Sequence, residues 1–180
     1  MITIPESFWG AMLEEFMKEK RRVEQVCYLD GVLFGDDGAV TTMTVPSAVL
    51  ESGRFHVTPE AMSEAGKHLR RYKLRRLAQV HTHPTHWVGH SRWDDEWAYS
   101  QLPGALSIVL PQFARSRPPL EQSGVHLRST AGWRQLSPEE IPLHVRLVPG
   151  LLDFRRVHEP ARVEPPRGRS WKSLLAFWRR

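Results

Sequence analysis

The chain has 180 residues, 41% hydrophobic and 25% charged, with a single cysteine, Cys27. That describes one globular domain able to bury its own core, and it excludes a disulfide framework. No apolar run approaches the roughly 20 residues of a membrane span, and the N-terminus lacks the basic-then-apolar layout of a secretory leader, so a cytoplasmic protein is expected. The net charge of +5 is unevenly placed: residues 146–180 hold nine Lys/Arg against three Asp/Glu, the first 145 hold 16 against 17. The basic character therefore belongs to the tail, which suits an acidic protein face or simple solubility. With a neutral body, neither a nucleic-acid partner nor a membrane is expected.

Residues 7–20 place Phe8, Met12 and Phe16 on one side at helical spacing, which predicts an amphipathic helix. The stretch 24–35, "EQVCYLDGVLFG", reads as a strand, "DDG" as a turn and 39–46 as its hairpin partner. Thr58-Pro59-Glu60 is a helix start: a capping hydroxyl, proline at the first helical position and an early acid. Residues 77–83 alternate, putting Leu77, Gln79, His81 and His83 on one face, and Pro84 ends the strand. Ser91 opens a second helix of about ten residues, and 105–111 and 125–136 read as further strands. Helices and strands alternating around one sheet predict an α/β domain over 1–136. From Ser137 to Arg180 prolines recur without periodicity, which predicts a Pro- and Arg-rich arm ending in an apolar segment, "SWKSLLAFWRR".

The stretch "HTHPTHWVGHSRWDDEW", residues 81–97, concentrates the chemistry. Singly, each part is ordinary: strand histidines, and a Ser91–Asp94 pair at capping-box spacing. Together they are not. Histidines at i and i+2 of a strand share a face about 7 Å apart, close enough to meet on one ion. An aspartate at a neighbouring helix start supplies a third ligand. Three N/O ligands with a fourth position open is the arrangement of a catalytic zinc. His86 and His90 lie in the intervening loop and are expected to be solvated; Asp95 and Glu96 read as first-turn acids.

His81-x-His83, seven residues, then Ser91-x-x-Asp94 resembles the H-x-H-x7-S-x-x-D signature of the JAMM (JAB/MPN+) zinc metalloproteases, in order of elements as well as in motif. The resemblance covers about residues 7–136. It implies an MPN (JAB) domain: a central mixed β-sheet flanked by helices, layered as in the cytidine deaminases. It also implies one zinc with a catalytic water, held by His81, His83 and Asp94. Glu24, which opens an E-x6-G stretch ending at Gly31, would be the general base and then acid; Cys27 and Tyr28 stand where the family often has glycine. Glu6, Glu14, Glu15 and Glu19 are poorer candidates. Ser91 would donate to the oxyanion. Cys27, a strand thiol, is expected to be buried and inert.

Members of that family hydrolyse amide or isopeptide bonds at the C-terminus of ubiquitin or ubiquitin-like proteins. The resemblance therefore implies a ubiquitin-like substrate, taken as an extended tail by strand addition near 39–46 or the loop 111–124. Only "AYSQLPG" separates Trp97 from the next strand, too short for the insertion with which eukaryotic members grip ubiquitin. The compact form looks like bacterial members that sit beside ubiquitin-activating- or conjugating-like enzymes in antiphage operons. Three other readings remain open at this point: a hydrolase acting on a ubiquitin-fold sulfur carrier, a non-catalytic MPN scaffold, and a nucleic-acid binder resting on the Arg-rich tail, which predicts steeply salt-dependent binding.

Overall fold

A computed structural model of the protein describes residues 1–152. The expected terminal segment 170–180 and most of the basic arm lie outside the described residues. Residues Met1–Gly150 form one compact unit. Its helices are α1 (Glu6–Lys18), α2 (Pro59–Tyr72), α3 (Arg92–Trp97) and α4 (Ile141–His144). Its strands are β1 (Ile2–Pro5), β2 (Val26–Phe34), β3 (Asp37–Thr44), β4 (Ala48–Leu50), β5 (Phe55–Val57), β6 (Arg75–Thr82), β7 (Leu106–Leu110), β8 (Gly124–Ser129), β9 (Gly132–Gln135) and β10 (Val145–Val148).

Eight strands form one mixed sheet in the order β10-β1-β3-β2-β6-β7-β8-β9, and β4 and β5 form a separate hairpin. The strand period of two gives the sheet two unlike faces. On one, Cys27, Leu29, Val80 and Ile108 pack against Trp9, Met12, Leu13 and Phe16 of α1. On the other, Val26 and Tyr28 meet Phe55, with Met62 of α2 alongside. His81 pairs with Val26 across β6 and β2, so the histidines share this second face.

A register shift in β2 around Asp30 and Gly31 brings Asp30 opposite Arg76. Arg76 Nε donates to the fully buried Asp30 carboxylate at 3.1 Å, and the guanidinium lies 3.6 Å over the Tyr28 ring. Gly31 is required here, since a Cβ would stand 2.0 Å from the Ala39 carbonyl oxygen. Leu77 leaves the histidine face to which alternation assigned it. It fills the space beside Gly31 and Gly38 and joins the α1-side core, because neither glycine has a side chain to exclude it.

Several expectations change. Residues 125–136 are two strands, because Gly132 takes φ 135° and turns the chain. α3 has six residues where about ten were expected, because Ala98 is already extended. Within the predicted arm, residues 141–148 belong to the compact unit, and Val145–Val148 join the sheet. α4 leads into β10, which runs parallel to β1 from Ile2↔Val145 to Pro5↔Val148 and buries Val145. Pro138 lies in a turn and Pro142 in the first turn of α4, where a missing N–H costs nothing. Among the described residues no helix is long and apolar enough to cross a membrane.

A chain ending at Leu136 should unfold at lower urea than one ending at Leu152, by at least about 2 kcal/mol, since it loses the buried Val145 and Ile141. Equal midpoints would show that β10 contributes nothing.

Candidate metal centre

The site assembles where β2 and β6 end. Thr82 locks the register twice: its N–H donates to the Gln25 carbonyl and its hydroxyl accepts from the Gln25 N–H, both at 3.0 Å. Extending that antiparallel pairing by one residue sets Glu24 opposite His83. Glu24 therefore lies two residues before β2, not within it as the sequence suggested. Its N–H donates to the Glu51 carbonyl at 2.7 Å, which brings the β4–β5 hairpin beside it.

His81, His83 and Asp94 are buried together, with one potential ligand atom of each within 4.8 Å of the others. His81 Nε2 stands 3.2 Å from Asp94 Oδ1, and His83 Nε2 stands 3.3 Å from Asp94 Oδ2. Donors around a tetrahedral zinc at 2.0–2.1 Å lie about 3.3 Å apart, so the spacing suits such an ion.

The donor chemistry agrees. His83 Nδ1 lies 3.1 Å from the Trp87 carbonyl, which can only accept, so Nδ1 carries a proton and Nε2, the atom turned toward Asp94, offers a lone pair to a metal once its own proton is lost. His81 is fully buried and neither ring nitrogen has a hydrogen-bond partner despite the nearby carboxylate. Burial holds this ring below the ordinary histidine range, outweighing the pull of Asp94. Burial alone would raise the Asp94 carboxyl, but its contacts to His81 and His83 hold it far below the usual carboxylate range. A carboxylate facing two imidazole lone pairs in a dry site is a cation's donor set.

Asp94 also belongs to a complete capping box. Its Oδ2 accepts from the Ser91 N–H at 2.6 Å and the Ser91 hydroxyl at 2.7 Å, while Ser91 Oγ accepts from the Asp94 N–H. The capping reading and the metal reading thus hold at once. The hydroxyl proton of Ser91 is spent on Asp94 here, so service to an oxyanion requires that O–H to rotate.

Glu24 is buried, and burial raises its carboxyl from 4.5 to about 7; the nearby His83 opposes this and Asp94 adds to it. Cys27 lies on the α1 face, fully buried, and burial pushes its thiol well above the ordinary range. It is an inert core residue. His86 is exposed, as expected.

His90 is not. Its side chain is 5% exposed and stacks on His126 of β8, with ring centres 3.9 Å apart and planes 17° apart. Burial drives both rings down to about 3, so both are neutral. No local pattern marks this pair, because His126 is 36 residues away. The tryptophans of the motif line the surface around the site: Trp87 stacks on His83 and is exposed, exposed Trp97 stacks on the half-buried Trp93, and Trp93 Nε1 donates to the Phe55 carbonyl.

No protein-family model matches the chain, and no curated protein matches it. Among solved structures, the solution structure of protein DSY2949 from Desulfitobacterium hafniense is similar with a TM-score of 0.63 and 22% identity, over 84% of this chain and 95% of that one. The likeness is one of fold. AF2198 from Archaeoglobus fulgidus, a JAB1/MPN domain protein, is more distant, with a TM-score of 0.46 and 10% identity over 82% of this chain and 97% of that one. The mixed α/β architecture and a His–His–Asp group consistent with the JAMM motif are present without a family match.

Protein purified without added metal should carry, or take up, about one zinc per chain by elemental analysis, and His83→Ala should lose it. Contact with Asp94 outweighs burial and raises the His83 ring above 6.5, so affinity should fall as pH drops through that raised value and a proton competes for Nε2. Affinity flat between pH 8 and pH 5.5 would exclude His83 as a ligand.

The raised Glu24 carboxyl means that the folded state binds its proton more tightly than the unfolded chain. The stability it contributes is complete below pH 4.5 and is lost as pH rises through about 7. Metal-free Glu24→Gln should therefore exceed wild type at pH 8 by up to about 3 kcal/mol, and the gap should close near pH 4. Parallel urea curves at the two pH values decide it.

Proposed function

We propose that this chain is a zinc-dependent peptidase of the JAMM type that cleaves after the C-terminus of a ubiquitin-like protein, in maturation or deconjugation. The observation that carries the reading is a buried carboxyl near neutrality, set opposite a histidine of a three-ligand donor group.

His81, His83 and Asp94 would hold the metal. Zinc in such a site supplies Lewis-acid chemistry, acidifying a water to a pKa of about 7 and polarising a carbonyl. Glu24 moves the protons. With its carboxyl at about 7 it is partly ionised at neutral pH, so it can accept a proton from the attacking water and later return it to the leaving amine. Ser91, turned away from Asp94, would donate to the developing oxyanion. Cys27 takes no part, so no acyl-enzyme forms on the protein.

The substrate class rests on the motif resemblance and on the surroundings of Glu24. The β4–β5 hairpin, bonded to Glu24 through Glu51, is a two-stranded sheet whose outer edges pair with no further strand among the described residues, and an extended tail can add to such an edge. Exposed Trp87 and Trp97 provide apolar walls. The bacterial conjugation setting, antiphage systems included, follows from the resemblance alone. A non-catalytic scaffold has no use for a buried carboxyl held near neutrality beside the ligands.

Zinc-loaded protein incubated with ubiquitin-like proteins carrying C-terminal extensions should release the extension at the terminal glycine, read by intact mass. Glu24→Gln should keep zinc and lose about 10²–10⁴-fold in rate. Full activity in Glu24→Gln would exclude Glu24 as the base. A zinc-loaded wild type inert toward linear and lysine-linked fusions would remove the ubiquitin-like substrate from the reading.

A further inference from the structure

α3 has six residues, too few to be stable by its own hydrogen bonds. The capping box fixes Asp94 relative to Ser91, but it does not fix that turn relative to the strand carrying His81 and His83. On one side, Trp93 ties α3 to the carbonyl of Phe55. On the other side the tie is His90.

We propose that His90 is a positioning residue for the metal centre: braced between Asp95 and Ser107 and stacked on His126, it holds the turn that presents Asp94 to His81 and His83. The inference rests on the metal reading of the site and goes beyond the motif that suggested it.

Three observations carry it. The first is bracketing. His90 directly precedes Ser91 and Asp95 directly follows Asp94, and His90 Nδ1 lies 2.9 Å from Asp95 Oδ1, closing a ring around the capping box. The second is anchorage. His90 Nε2 lies 3.0 Å from the hydroxyl of Ser107, a fully buried residue of β7. A carboxylate can only accept, so Nδ1 carries the proton, and Nε2 accepts from the serine. One tautomer satisfies both bonds, and both nitrogens are used, so His90 is not itself a ligand. The third is the close seating of the loop on β8. The Val88 carbonyl oxygen occupies the place of a Cβ on Gly124, at 1.9 Å, and the His90 ring lies flat on His126 two residues further on.

His126 contributes a face rather than bonds. Neither of its ring nitrogens has a partner, and the same holds for Trp133 Nε1 beside the pair. A phenyl ring at 126 keeps the face and removes two unsatisfied buried nitrogens.

The test compares wild type, His90→Ala, His90→Asn, Ser107→Ala and His126→Phe. Zinc affinity is measured by chelator competition, the visible spectrum is recorded with cobalt(II) in place of zinc, and thermal midpoints are taken without metal. Outer partners of metal sites typically contribute 10–100-fold in affinity, so His90→Ala should lose about that much and shift the cobalt spectrum while still unfolding cooperatively. His90→Asn, which can keep one of the two bonds, should recover part of the loss. Ser107→Ala should fall between wild type and His90→Ala, and His126→Phe should match wild type. Wild-type affinity and an unchanged spectrum in His90→Ala would overturn the proposal. If His90→Ala does not fold, Ser107→Ala decides, and unchanged affinity there overturns it equally. A wild type that binds neither zinc nor cobalt would fail the metal reading itself, a result distinct from unaffected binding in the variants.

Discussion

The site depends on one carboxylate almost wholly withdrawn from solvent. Asp94 is 3% exposed, faces two imidazole nitrogens at 3.2 and 3.3 Å, and caps its own helix through Ser91. Burying a carboxylate is costly unless it is paired and hydrogen-bonded. The cap satisfies one oxygen through two donors. The remaining interactions point to two rings, one neutral through burial and the other already donating its Nδ1 proton to Trp87. The arrangement is incomplete without a positive charge at its centre: a proton on His83 in the free protein, a cation in the loaded one. Metal affinity, histidine protonation and folding stability are thereby coupled through the same few atoms.

The sheet determines which groups share that charge. The two hydrogen bonds between Thr82 and Gln25 set the β2–β6 register just beyond its last strand pair, and the period of two does the rest. A slip of one residue would carry His81 and His83 to the α1 face and Val80 to the metal face. The Asp30–Arg76 pair and the glycine at 31 hold the far end of the same strands. Register is thus pinned at both ends of the β2–β6 pairing, and Glu24 comes opposite His83 as a consequence, with its N–H bond to Glu51 holding it there.

Parts of the structure governed by neighbours in sequence were legible from sequence. The α2 start is a Thr58 hydroxyl accepting from the Ala61 N–H, the local chemistry that Thr-Pro-Glu encodes. The shared face of His81 and His83 follows from strand alternation, and the Ser91–Asp94 box from a spacing of three. Parts that depend on distant partners were not legible. Four residues at the N-terminus and four near 145–148 become strands through distant neighbours, β1 lying between β3 and β10 and β10 lying beside β1. The β4 and β5 segments, three residues each, carry too little pattern to be seen. His90 reads as a loop histidine until β7 and β8 bring Ser107 and His126 to it. The sequence therefore displays the ligands more readily than the frame that aims them.

That frame explains how the domain tolerates its metal face. This face buries groups that oppose folding: an acid near neutrality, an imidazole with no partner on either nitrogen, and two stacked rings of which one is wholly unbonded. Each costs of the order of 1–3 kcal/mol when left unsatisfied. The other face of the same strands is almost purely apolar, with Leu29, Val80, Ile108 and Val125 essentially inaccessible beneath α1. Because residues on the two faces alternate along one backbone, the apolar side clamps the strands on which the polar side depends. Cys27 and His81 show the division: on paired strands only one residue out of register, one becomes an inert thiol in the core and the other a ligand. A weakened α1 core would thus loosen the metal site without touching any of its residues, since the same peptide units bear both.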